Sequence, residues 1–414
     1  MGTSLLGPDV ASAPSIASSV VEGSRRKVIS HTESAAQLRA VGPDILRSLA
    51  ILLVMLFHCP SAATPTAVAE VRPYGWLGVD IFFVLSGFLI GRQLFKEAAV
   101  NDRIDLKAFY LRRAFRILPA FFVVLVVYAF VPLVREAATM QPFWRFATFT
   151  MNFGLESRYT GSFTQAWSLC VEEHFYFTLP LFVIFFARRM TFASAIALAT
   201  CILLAGMLLR FAIWQTQVGV FIDVQDFKEA YSGYLRDVYY PTYNRLDGLV
   251  FGVLLAALKV FRPHLWNRYA SPKVSLSVGA ALVALALMIF TQRGAFAPAN
   301  HSVVVQSLLG AVVGFPVFAA GVALILGGLL DVESRLSRWP LHAVTLVATL
   351  SYSLYLTHKS VFHIDQLLFG AENLQGVPGF VVYAATCLVV AAALWFFVER
   401  LFLKLRDRFL PSVH

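Results

Sequence analysis

The sequence predicts an all-α, polytopic membrane protein of about ten transmembrane helices with both termini cytoplasmic. Three observations carry that prediction. Hydrophobic residues make up 58% of the 414-residue chain and charged residues only 14%, which leaves too few charges to cover a soluble core of that size. Apolar runs of membrane-spanning length recur along most of the chain. The basic residues behind the net charge of +10 sit mainly in short connections between those runs, where the positive-inside rule places them. That clustering argues against nucleic acid as a partner.

Taken in order, residues 1–40 are rich in Ser and Ala, carry Arg25, Arg26 and Lys27, and hold no apolar core long enough for a signal peptide. They are expected to form a disordered cytoplasmic tail. A single transmembrane domain is expected over 41–405, with 406–414 as a second cytoplasmic tail. Its spans fall at about 43–59, 76–95, 114–134, 167–187, 192–214, 244–261, 274–291, 303–330, 342–361 and 378–400. Residues 143–155 are a further short or re-entrant candidate, and the Gly-rich eighth span is over-long. Between spans two and three, Arg92, Lys96, Arg103, Lys107, Arg112, Arg113 and Arg116 outweigh Glu97, Asp102 and Asp105. Lys259, Arg262, Arg268 and Lys273 follow span six. With Arg188, Arg189 and the terminal Lys404, Arg406 and Arg408, these fall on one side of a ten-span chain, so both termini are expected in the cytoplasm. Cys59, Cys170, Cys201 and Cys387 form neither a CxxC pair nor a Cys/His set, so no metal site is expected.

Candidate chemistry begins in span one, RSLAILLVMLFH. On a helix, Arg47 and His58 return to nearly the same direction about 16 Å apart. A charge near the bilayer centre costs roughly 2.5–3.5 kcal/mol, so a span that holds one needs a reason; snorkelling to the inner interface is the simplest. Asp80, in GWLGVDIFFVLSG, lies a few residues inside span two and is either an N-terminal acid favoured by the helix dipole or a functional carboxylate. In AFYLRRAFRILP, Arg113 and Arg116 share a helix face. They serve either as positive-inside anchors or as phosphate ligands, for which the planar guanidinium fork is suited. The most specific stretch is QAWSLCVEEHFY. Glu172 and Glu173 followed by His174 in an apolar span are hard to explain as packing, and adjacent helical residues diverge by about 100°, so the two carboxylates face different partners. Arg245 and Asp247 at the start of span six, and His358 in SYSLYLTH, are either structural pairs or isolated polar contacts.

These blocks, with RLDGLVFG and the closing FFVERLF, stand in the order seen in the acyltransferase-3 family of integral membrane O-acyltransferases, which the chain resembles from about 43 to 405. The resemblance implies a multi-pass protein of a bacterial-type inner (plasma) membrane. It also implies transfer of an acyl group, commonly acetyl, from cytoplasmic acyl-CoA to a hydroxyl of a glycan, a glycolipid or another hydroxylated acceptor, with no permanently bound cofactor. Arg47 and His58 are then essential, Arg113 and Arg116 handle the donor, and Glu173 or its neighbour lies near the site. Two departures stand out: His174 sits where relatives often carry another residue, and no fused esterase-like domain is expected.

The residues themselves are compatible with that chemistry. Acyl transfer to an alcohol needs a base for the hydroxyl proton and a group to stabilise the oxyanion. His58 is the candidate base, since histidine titrates near neutrality. Glu173, with Glu172 as the alternate, is the candidate to orient its ring, and Asp80 is a further candidate. A covalent acyl-enzyme through Cys59 or Cys170 is the variant mechanism. The competing classes are a proton-coupled secondary transporter, because buried Arg, Asp, Glu and His also line proton pathways, and a non-catalytic sensor or scaffold.

Overall fold

The computed structural model describes residues 40–101, 104–156, 160–186, 191–291 and 306–410. The chain divides into two units, Met1–Val41 and Gly42–His414. The expected N-terminal tail lies almost wholly outside the described residues.

Among the described residues ten principal helices follow one another: α1 (Val41–His58), α2 (Leu77–Asn101), α3 (Leu106–Phe130), α4 (Trp167–Phe186), α5 (Phe192–Trp214), α6 (Asp247–Phe261), α7 (Pro272–Thr291), α8 (Phe315–Asp331), α9 (His342–Phe369) and α10 (Gly376–Leu394). Each expected span has a counterpart among them. Among the described residues, eight helical segments are long and apolar enough to cross a membrane, and a ninth counts if α6 is joined to the short helix Pro263–Tyr269, which bends from it by 104°. The bend has a local cause: Arg262, with φ of −138°, precedes Pro263, and a residue before proline is pushed out of helical geometry. Beyond the bend, Trp266 Nε1 donates to Asp331 Oδ2 at 2.5 Å, which ties the displaced turn to the end of α8.

The tenth helix, α9, has 28 residues but is too polar to qualify by composition. Ser351, Ser353, Thr357, His358 and Asp365 face inward on it and are all buried, so its neighbours rather than lipid receive its polar face. Two helices outrun their expected ends through π-turns, α5 to Asp223 and α10 to Phe409. The start expected for the eighth span, 303–305, lies outside the described residues. Residues 143–155 contain a five-residue helix, Phe143–Ala147, followed by turns.

The core is centred on α2, against which α6 packs most extensively, with α8 against both. Small residues permit this approach: a Cβ added to Gly252 would lie 2.6 Å from the Phe88 amide nitrogen. Two buried ion pairs fix the same region. Asp80 of α2 meets Arg245 at 2.8 Å, and Arg210 of α5 meets Asp247 of α6 through two hydrogen bonds of 2.8 and 3.0 Å.

Sidedness follows from the charge distribution as an expected outcome. In a Cys201→Ser background, Ala99→Cys, exposed near the end of α2, is expected to resist an impermeant maleimide in intact cells and to react after permeabilisation. Ala138→Cys, exposed between α3 and α4, should label in intact cells. Equal labelling of the two positions would overturn the orientation.

Candidate active site

The two ends of α1 open on two small cavities. His58, its last residue, lines one of about 90 Å³; Arg47 lines the other, of about 120 Å³. Tyr355 of α9 lines both. Its hydroxyl donates to the Gln165 carbonyl at 2.9 Å and lies 2.5 Å from Ser168 Oγ, so a tethered phenol stands between them.

In the first cavity, His58 Nδ1 lies 3.0 Å from the Val54 carbonyl oxygen and 3.1 Å from His358 Nε2. His358 Nδ1 lies in turn 3.0 Å from the Leu354 carbonyl oxygen. A carbonyl only accepts, so the neutral rings each carry their hydrogen on Nδ1. His358 Nε2 is then an acceptor facing His58, and His58 Nε2 keeps a free lone pair. Trp76, Trp167, Tyr231, Tyr234, Tyr239 and Tyr240 form the walls. Three buried polar atoms of lining residues, Gln165 Oε1, Tyr234 Oη and Gln306 Oε1, have no hydrogen-bond partner. An unsatisfied buried polar group costs about 1–3 kcal/mol, and a hydroxylated ligand would offer such atoms partners.

The second cavity gathers Arg47, Ser86, Arg113, Arg116, Glu172, Glu173, Tyr176 and Ser351. Arg47 pairs with Asp44 one turn back, at 2.7 Å. The Tyr176 hydroxyl donates to Glu172 Oε2 at 2.7 Å, lies 2.9 Å from Ser86 Oγ, and carries the Arg113 guanidinium 5.1 Å above its ring. Among the described residues neither Arg113 nor Arg116 is ion-paired, and Arg116 is exposed. Unpaired arginines at a half-dry mouth suit an anionic group. Asp105 caps the start of the helix that presents them, accepting from the Ala108 amide at 2.9 Å.

The structure therefore brings Arg47, Arg113, Arg116, Glu172 and Glu173 to one cavity and places His58 at the other. The side chain beside His58 is His358, whereas Glu173 borders the arginine cavity and also a large apolar cleft of about 1130 Å³ between α4, α5 and α6. His174 faces that cleft, with Nδ1 2.8 Å from Thr242 Oγ1 and its ring stacked on Phe153. Asp80 lines neither cavity and is held by Arg245. Cys59 and Cys170 are buried, and neither lines either cavity. Sequence reasoning passed over the aromatic walls; five tyrosines between residues 231 and 243, outside the expected spans, were the available signal.

A cavity with a histidine beside unsatisfied polar atoms and a second lined by arginines are compatible with group transfer within a multi-pass helical protein. The chain belongs to the acyltransferase-3 family, whose acyltransferase domain matches residues 41–396. It is 28% identical over 270 residues to the peptidoglycan O-acetyltransferase OatA of Listeria monocytogenes, across 60% of this chain and 38% of that protein. It is likewise 28% identical over 250 residues to the O-acetyltransferase OatA of Staphylococcus aureus, across 57% of this chain and 37% of that protein. The match thus spans under two fifths of either relative's length. No solved structure matches the chain. Family membership favours an enzyme over a transporter or scaffold.

Proposed function

We propose that this protein is a membrane O-acetyltransferase that moves acetyl from cytoplasmic acetyl-CoA to a hydroxyl of a cell-envelope glycan or lipid-linked saccharide, in the plasma membrane of a bacterium. The observation that carries the reading is His58, with Nε2 free, lining a cavity that holds unsatisfied buried polar atoms and is walled by aromatics. Such walls suit a sugar, whose C–H faces pack on rings while its hydroxyls need hydrogen-bond partners. The similarity to a peptidoglycan O-acetyltransferase supports a glycan acceptor, and both O-acetyltransferase relatives support acetyl as the group transferred.

In this reading the phosphates of the donor sit at Arg113 and Arg116 and the thioester reaches past Tyr355. His58 Nε2 takes the acceptor's hydroxyl proton as its oxygen bonds to the thioester carbon. Tyr234 Oη is placed to donate to the oxyanion. Collapse breaks the C–S bond, and the proton on His58 passes to the leaving thiolate. No serine or cysteine nucleophile is needed.

The test is transfer of radiolabelled acetyl from acetyl-CoA in isolated membranes, combined with mass spectrometry of envelope glycans with and without the gene. Absence of any gene-dependent O-acetylation would sink the reading. The donor assay also resolves the arginines. Bonds to the donor persist through the reaction, so their energy appears mainly as uniform binding. Arg113→Lys and Arg116→Lys keep the charge but lose the planar fork. The KM for acetyl-CoA is expected to rise about tenfold, as one weakened charge-assisted hydrogen bond of roughly 1.5 kcal/mol implies, with a smaller change for the acceptor. Saturation curves superimposable on wild type, at matched expression, would eliminate the phosphate-binding role.

A further inference from the structure

We infer that His358 is a positioning residue for His58: a neutral imidazole whose Nε2 shares the His58 Nδ1–H with the Val54 carbonyl oxygen, 3.1 and 3.0 Å away, and so holds the ring, with Nε2 free, through the reaction. The inference rests on the reading of His58 as the general base and deepens it. His358 is fully buried on α9. Its Nδ1 is committed to the Leu354 carbonyl at 3.0 Å, which leaves Nε2 as the acceptor 3.1 Å from His58 Nδ1. The ring centroids are 4.9 Å apart, and Phe362 packs edge-on against His358, so the ring is restrained from the far side. The helix behind it is restrained too. Thr357 Oγ1 donates to the Ser353 carbonyl at 2.8 Å, and the Ser353 hydroxyl donates to Glu399 beyond α10.

Among the described residues no carboxylate hydrogen-bonds to either imidazole. The nearby charges are committed elsewhere: Lys359 to Glu136 at 2.8 Å, and Arg72 Nε to the Cys59 carbonyl at 2.9 Å. The role a carboxylate fills in a Ser-His-Asp triad thus falls here to a neutral imidazole. In the step itself, the hydroxyl proton moves from the acceptor oxygen to His58 Nε2. The hydrogen on His58 Nδ1 stays where it is, and its bond to His358 strengthens as the ring becomes imidazolium. His358 neither gains nor loses a proton.

Two amide variants make the test. In His358→Gln the side-chain oxygen would fall where the imidazole Nε2 lies, whereas in His358→Asn the shorter side chain would put its oxygen near the Nδ1 position, out of reach of His58; both replacements are polar and of similar size. His358→Asn is expected to lower kcat roughly 10- to 100-fold, in line with loss of an outer partner that orients a functional histidine, with KM for acetyl-CoA within about twofold of wild type. His358→Gln should recover most of that loss. A His58→Ala/His358→Asn double variant should be no slower than His58→Ala alone, since the partner acts only through the base. Equal kcat for the two amide variants, or wild-type kcat for His358→Asn, would overturn the positioning role while leaving His58 as base. High activity in His58→Ala would instead overturn the base reading itself.

Discussion

His58→Ala is expected to lower acetyl transfer by a factor of about 100 to 10,000, the range general acid–base catalysis ordinarily supplies, while expression and membrane insertion hold. The two parts of that expectation have separate grounds. His58 is the last residue of α1 and only partly buried, with its ring against a cavity, so truncation removes little packing. Its backbone conformation is kept by the preceding turns, and Ala is the best helix former. The chemistry has no substitute nearby, because His358 is committed through Nδ1 and faces His58 rather than the cavity. The loss should appear in kcat, with the KM for acetyl-CoA little changed, since the arginines that hold the donor border the other cavity. Quantitative immunoblots of membrane fractions, run beside donor saturation curves, check both parts. Activity within about threefold of wild type would remove His58 from the mechanism.

How much of this was legible in the sequence depended on whether a residue's partner was close in the chain. The spacing of Arg47 and His58 is a property of one helix and is legible as such; that the two line separate cavities along α1 emerges only in the fold. The cost of carboxylates in apolar spans drew attention to Glu172 and Glu173, and both border a cavity. Nothing local connected His58 with His358, which lies 300 residues away, so the partner fell to Glu173 by default. Asp80 posed the same problem: its charge was visible, its partner 165 residues on was not. Hydropathy located the helices that face lipid. The expected span nine, 342–361, stops short of Phe369, the end of α9, whose polar residues point into the protein, and the expected span six ends at 261, just before the Arg262-Pro263 break. The aromatic walls are faint for a different reason: with Phe, Trp and Tyr at 14% of the chain, individual rings carry little information, and only the tyrosine cluster from 231 to 243 stands out.

The buried pair Asp80–Arg245 leads to the second large effect. Both side chains are almost inaccessible, and the Arg245 guanidinium is packed 4.0 Å from the Phe315 ring centroid and 4.4 Å from that of Tyr239. Its Nε and Nη1 have no hydrogen-bond partner, so Asp80 is its main compensation. Asp80→Leu would leave a guanidinium buried without a counter-charge, and breaking such a pair from one side costs about 3–5 kcal/mol. The variant is therefore expected to be recovered poorly in detergent and to melt well below wild type. Replacing both partners with apolar residues avoids the isolated charge and is often close to neutral. Asp80→Leu/Arg245→Met should accordingly regain most of the lost stability. Tyr239, a wall of the His58 cavity, rests on that guanidinium, so the double variant should keep acetyl transfer with a raised KM for the acceptor. If Asp80 instead touches the reacting groups, the double variant will fold and remain inactive. Melting curves in detergent together with the membrane transfer assay separate the two outcomes, and a stable but dead double variant would return Asp80 to the catalytic machinery.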